Sequence, residues 1–160
     1  MAEFIPQKDL HRIVTTCIVY RDDGTYLIKK RRPDREPFPG RWEVPGGGLE
    51  AKDYQMTVSE NPDGWEDVLD DVVRREVSEE VGLVVGDLRY LGNSIFIRKD
   101  GVPVLVLRYA APYVSGVVTL DDEATEYAWI RASGAHDYGL IGSIPNDLQK
   151  LDQALALDTI

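Results

Sequence analysis

Sulfur and imidazole are scarce in this chain. Its 160 residues include one cysteine, Cys17, and two histidines, His11 and His136. A single cysteine excludes an intrachain disulfide framework and any thiolate-rich zinc site. Two histidines far apart in sequence offer no pattern for an imidazole-based metal centre. Positive charge is also short: 18 Lys and Arg face 28 Asp and Glu, for a formal net charge of −10. Such a field repels phosphate, so broad binding to nucleic acid or to an anionic membrane surface is not expected. No apolar run approaches the roughly 18 residues that a membrane span needs. The N-terminal stretch MAEFIPQKDLHR lacks the apolar core of a signal peptide. The expected compartment is the cytoplasm. A phosphate-bearing substrate would have to be met by local positive charge or by a bound cation.

What is present is an ordinary globular composition, 43% hydrophobic and 29% charged, on a length that suits one domain over residues 1–160. The β-branched run Arg12–Tyr20 predicts a strand, and Asp23-Gly24 a hairpin turn into a returning strand over 25–31. Three prolines and Gly40 break residues 33–40 into a loop ahead of a brief strand at Trp42–Val44. Trp65, Val68, Leu69, Val72 and Val73 recur at helical spacing, and the pattern runs to Val81 before Gly82, which predicts a helix over 65–81. Strands are expected over 83–85, 90–97, 103–109 and 126–131. An amphipathic helix over 146–157, capped by Asn146, closes the chain. Hairpins require antiparallel pairs, while strands and helices interleave, so the expected fold is α/β (α+β), a mixed sheet flanked by helices.

The chemistry concentrates in Arg75-Glu76-Val77-Ser78-Glu79-Glu80-Val81-Gly82-Leu83. On a helix Glu76, Glu79 and Glu80 share one face. Glu76 lies four residues after Val72, and Glu80 seven after Val73, so acids stand where periodicity asks for apolar residues. Clustered, partly buried carboxylates are costly unless a cation neutralises them. Oxygen donors without thiolate point to Mg²⁺ or Mn²⁺. Upstream, Pro45-Gly46-Gly47-Gly48 would let a ligand approach the backbone closely. Each feature alone has a plainer counterpart, a solvated acidic helix end for the first and a tight turn for the second.

Together they resemble the Nudix hydrolase family, whose motif is G-x5-E-x7-R-E-U-x-E-E-x-G-U, with U a bulky aliphatic residue. Its second half is matched at every fixed position, by Arg75, Glu76, Val77, Glu79, Glu80, Gly82 and Leu83. The resemblance implies the Nudix α/β/α sandwich and metal-dependent hydrolysis of a nucleoside diphosphate linked to another group. It implies that Glu76, Glu79 and Glu80 ligate the metal with the Gly46 carbonyl, and that Arg75 orients a neighbouring acid. The catalytic base would be Glu79, or Glu123 or Glu126 in the acidic stretch before Trp129. The spacing departs from the motif in one place. Counted from Gly47, the first acid is Asp53, but 21 residues rather than seven then precede Arg75. Counted back from Arg75 it is Asp67. An insertion near Tyr54–Gly64 accounts for the excess and leaves the role of Asp53 open.

Lys29, Lys30, Arg31, Arg32, Arg35 and Arg41 form a basic cluster in this acidic chain. They could contact substrate phosphates or the leaving group, with Arg31 and Arg32 the chosen candidates, while Trp42 or Phe38 could stack on a base and Gly47 line the ligand. Surface charge and core packing are their plainer readings. Cys17 is expected to be a small buried residue. His11 and His136 are assigned nothing. The expected ligand is a small nucleotide-like diphosphate, and a homodimer is compatible with the reading. Two other functions stay open: a Nudix-fold module that holds a nucleotide without cleaving it, and an isomerase acting on an isoprenoid diphosphate.

Overall fold

Alternation along Arg12–Tyr20 sends Cys17 and Val19 to one side of the sheet and Ile18 to the other, and all three are buried. This strand, β1, is the spine of a computed structural model that describes residues 10–59 and 61–158. The N-terminal segment read above for a signal core begins outside the described residues. The elements that follow are β2 (Tyr26–Arg31), β3 (Trp42–Glu43), β4 (Gly46–Gly48), α1 (Lys52–Gln55), α2 (Val68–Val81), β5 (Leu83–Val85), β6 (Arg89–Ile97), β7 (Pro103–Gly116), β8 (Ala124–Ile130), a 3-10 helix (Ala132–Asp137) and α3 (Ile144–Asp158).

β1 runs parallel to β7 in an unbroken register from Arg12↔Val104 to Tyr20↔Pro112. It meets β4 antiparallel at Val14↔Gly48 through Thr16↔Gly46. β2 carries β3 and β8 on its flanks, and β6 and β5 pair with β7, all antiparallel. The sheet is therefore mixed, as expected.

Each face of the sheet is closed by one long helix. Val73, Val77 and Val81 of α2 pack on Cys17, Val19, Leu27, Leu83 and Ala111. Leu148 and Leu151 of α3 pack on Ile18, Tyr26, Ile28, Ala110 and Ile130. No helix among the described residues is long and apolar enough to cross a membrane.

Most element boundaries fall within two residues of the sequence expectation, and the informative differences are at α2, β7 and α3. α2 starts at Val68, because Asp67 adopts a left-handed backbone (φ 55°) that breaks the run back to Trp65. Trp65 leaves the helical stripe and packs on Tyr54, ring centroids 5.4 Å apart. β7 continues through Pro112 to Gly116. Proline is tolerated there because Pro112 lies opposite the last residue of β1 and past the end of β6, with its carbonyl accepting the Gly86 N–H at 2.9 Å. α3 begins two residues before Asn146, so Asn146 lies inside the helix and does not cap it. Glycine-only β4 and the short α1 carry no period from which sequence could have foreseen them.

Candidate functional site

α2 brings its acids to the sheet by the same geometry that buries its valines. Glu76 and Glu80 lie on the buried stripe and are 8% and 7% exposed. Glu79 points outward, with about half of its side chain exposed (53%). The helix therefore divides the three acids, two in and one out.

Glu80 sits in a polar pocket of its own. Its Oε2 accepts the Gly46 backbone N–H at 2.8 Å. Its Oε1 lies 3.1 Å from Lys29 Nζ, which lies 3.1 Å from Glu43 as well. Lys29 is fully buried at 1% exposure. Burial acts to lower the Lys29 pKa, but Glu43 and Glu80 outweigh it and hold the ammonium charged. Burial pushes the Glu80 carboxyl up to about 7 against the opposing pull of Lys29 and the Gly46 N–H. Burial also raises Glu76, against the opposing pull of Arg75.

Arg75 is a hub. Its Nε and Nη2 donate to the two oxygens of Asp53, at 2.7 and 3.1 Å. Its Nη1 lies 2.8 Å from Glu76 and 2.9 Å from Glu79. Burial would raise the Asp53 carboxyl, but the hydrogen bonds from Arg75 and from the Glu50 N–H hold it below its ordinary value. The glycine strand makes this arrangement possible. A Cβ on Gly47 would collide with the Glu76 carboxylate.

A third acid group arrives from the loop before β8. Carboxylate oxygens of Glu80, Asp121 and Glu123 lie within 4.8 Å of one another. The Asp121 N–H donates to the Glu80 carbonyl at 3.2 Å, which ties this loop to the C-terminal turn of α2. Three hard oxygen donors from two elements, one of them buried with a raised pKa, are a chemically suitable set for a divalent cation of the magnesium type. Among the described residues no His or Cys joins such a group.

A cavity of about 700 Å³ opens between β1, β7, β6 and the loop before α3. Val14 and Val106 line one wall and Ile144 another, with Glu43 and Gly46 also on the lining. Phe38 and Phe96 line it as well, with ring centroids 5.8 Å apart. The volume suits a nucleoside-sized ligand in a largely apolar site.

The residues expected to meet substrate are distributed unevenly. Arg31 and Phe38 line the cavity, and Arg31 is bound to both oxygens of Glu43 at 3.0 and 3.1 Å. Gly47 lies against Glu76 rather than on the cavity wall. Arg32 pairs with Asp34 at 2.9 Å on the exposed loop. Trp42 packs edge-to-face on Tyr138, centroids 5.1 Å apart, against the α3 side of the core. Glu126 is ion-paired with Lys30 at 2.8 Å, more than half exposed and outside the acidic cluster. Sequence reasoning did not single out Asp121, and it read Lys29 only as a member of the basic cluster, not as the buried partner of Glu43 and Glu80. Lys29 looked like one more member of a basic surface run, but β alternation was a usable signal, since Lys29 follows Leu27 on the face that α2 covers.

The family description "NUDIX domain" matches residues 10–143. Nucleoside triphosphatase NudI of Escherichia fergusonii is 25% identical over 134 residues, covering 78% of this chain and 85% of that protein. Among solved structures, the MutT protein from Methanosarcina mazei superposes with a TM-score of 0.67 at 24% identity, covering 91% of this chain and 95% of that one. The Nudix domain of Shewanella oneidensis NrtR, complexed with ADP ribose, superposes with a TM-score of 0.70 at 16% identity, covering 95% and 94%.

Proposed function

This chain belongs to the Nudix family, and on that premise we propose that it hydrolyses a pyrophosphate bond in a nucleoside triphosphate or a related nucleoside diphosphate derivative. The observation that carries the reading is the convergence of Glu80, Asp121 and Glu123, with Gly46, whose N–H donates to Glu80, on the lining of a nucleoside-sized cavity. The name of its NudI relative, a nucleoside triphosphatase, favours the triphosphate class.

In this reading Glu80, Asp121 and Glu123, with Glu76 and the Gly46 carbonyl, would hold Mg²⁺ or Mn²⁺, whereas Glu79, expected as a ligand, is turned outward onto Arg75. A cation held there would neutralise phosphate charge and lower the pKa of an attacking water. Lys29 fixes the Glu80 carboxylate from behind. Arg75, anchored by Asp53, fixes Glu76 in the same way. Glu123 is assigned the proton acceptor from the attacking water. It is half-buried, and its only cationic neighbour among the described residues is Arg35, at 4.0 Å. Glu79 accepts a hydrogen bond from Arg75 at 2.9 Å, which commits its carboxylate to that partner. The apolar cavity takes the nucleoside, with Phe38 and Phe96 as the stacking surface.

The test is a turnover panel in Mg²⁺ containing nucleoside triphosphates, nucleotide sugars, ADP-ribose and dinucleoside polyphosphates, read against Glu80→Gln. Turnover of one class that disappears in the variant supports the reading. A second reading, that the chain holds a nucleotide without cleaving it, draws on the likeness to a Nudix domain complexed with ADP ribose. ADP-ribose binding by calorimetry with no turnover across the panel would favour it.

A further inference from the structure

Five arginines line the cavity: Arg12, Arg31, Arg41, Arg98 and Arg108. Three are neutralised by carboxylates. Arg31 pairs with Glu43 at 3.0 Å, Arg98 with Asp100 at 3.0 Å, and Arg108 with Asp147 at 2.7 Å. Arg41 donates to the Gly139 and Leu140 carbonyls at 3.1 and 2.6 Å, which hold it in place. Arg12 is different: it pairs with Val104 through the β1–β7 ladder, but its guanidinium has no ion pair or hydrogen bond among the described residues. In a chain of net charge −10, a guanidinium on a cavity lining with no carboxylate partner among the described residues is available to an anion.

Its position narrows the anion. Successive residues of β4 point to opposite faces. On one face the missing Cβ of Gly47 makes room for the Glu76 carboxylate, and on the other the missing Cβ of Gly48 makes room for the Arg12 guanidinium. A ribbon one residue thick thus separates an acidic side from a basic side. A diphosphate at its edge would meet carboxylates on one side and the Arg12 guanidinium on the other.

We propose that Arg12 is a phosphoryl-binding residue, taking the oxygens of a substrate phosphate on the cavity side of the Gly46–Gly48 strand, which rests on the pyrophosphohydrolase reading. Arg12 then belongs to substrate recognition, and the planar fork of arginine suits two phosphoryl oxygens at once. Lysine, a point charge, would serve less well.

The experiment titrates wild type, Arg12→Ala, Arg12→Lys and Arg89→Ala with inorganic tripolyphosphate in Mg²⁺, and measures steady-state kinetics on the nucleotide panel. Arg89, paired with Asp158 on the surface, controls for loss of one positive charge. Expected are tripolyphosphate binding weakened about tenfold in Arg12→Ala, partial recovery in Arg12→Lys, and a wild-type value in Arg89→Ala. KM should rise by a similar factor, with a smaller change in kcat. Equal binding in wild type and Arg12→Ala, or no measurable binding by wild type, overturns the proposal. Turnover with an unchanged Arg12→Ala variant sinks this assignment and leaves the hydrolase reading standing. No turnover by any form, with binding weakened in Arg12→Ala, does the reverse.

Discussion

Asp53 holds Arg75 by two hydrogen bonds, of 2.7 and 3.1 Å, across 21 intervening residues. Of the two acids the motif spacing offered, Asp53 is the one that Arg75 of α2 binds. Asp53 is nearly buried (its side chain is 4% exposed) against Arg75, whereas Asp67 is exposed at the start of α2. The expected consequence is asymmetric. Asp53→Ala should lower kcat or metal affinity by about tenfold or more, as changes to residues behind metal ligands do, and cost about 1–3 kcal/mol in stability. Asp67→Asn should change neither by more than about 0.5 kcal/mol, since asparagine tolerates the left-handed backbone. Denaturant melts and kinetics on the two variants check both.

Glu80 should make metal binding depend on pH. Its folded carboxyl titrates near 7 rather than at the ordinary 4.5, so the folded chain binds more protons than the unfolded chain between those values. The metal-free stability contributed by this group therefore falls as pH rises through that window. Mg²⁺ needs the carboxylate, so its binding should release a proton and tighten as pH approaches 7. Calorimetry in buffers of different ionisation enthalpy reads the proton. Glu80→Gln should abolish the release.

Lys29→Met should be severe. It leaves Glu43 and Glu80 without their shared cation, and breaking a buried pair in this way costs about 3–5 kcal/mol. Lys29→Met combined with Glu80→Gln should recover part of that loss. Thermal melts of the two singles and the double, with additivity in the double, would refute the coupling.

The inserted segment 54–64 should be separable from metal binding. Glu60 lies outside the described residues, but the ends of the segment are joined by the Tyr54–Trp65 ring contact and by the Trp65 Nε1–H bond to the Thr57 carbonyl at 3.3 Å. Replacing residues 58–63 with two glycines should keep Mg²⁺ affinity and shift substrate preference in the turnover panel. Loss of Mg²⁺ affinity with the fold retained would count against it.

Cys17 should be inert. It is buried at 1% exposure, and burial pushes its thiol up to about 12, so almost no thiolate exists at pH 8. Iodoacetamide should label it in denaturant and not in buffer.

The helix and its acids were legible because their signal is local. Val72, Val73, Val77 and Val81 announce the buried face, and Glu76 and Glu80 interrupt it at positions that chain periodicity alone can count. Lys29, Asp121 and Arg12 were not singled out because their meaning depends on strands that meet from distant parts of the chain. Nothing near Arg12 in sequence says that Gly48 will lie against it. That follows from the β1–β4 register, Val14↔Gly48. The start of α2 was misjudged because Trp65 fits the helical stripe, while Tyr54, the ring it packs on, stands eleven residues upstream in the insertion.

The parallel pairing of β1 with β7 joins segments some ninety residues apart. On a ribosome, β1, β2 and the acid-bearing helix emerge well before β7. Until then β1, a Val- and Ile-rich strand, has a whole edge bare, and such edges pair readily with other chains. Non-local pairing of this kind also slows folding. The nascent chain thus carries its acidic helix before it can complete the sheet beneath it, and a chain cut short ahead of residue 103 would display a sticky strand in place of a finished site.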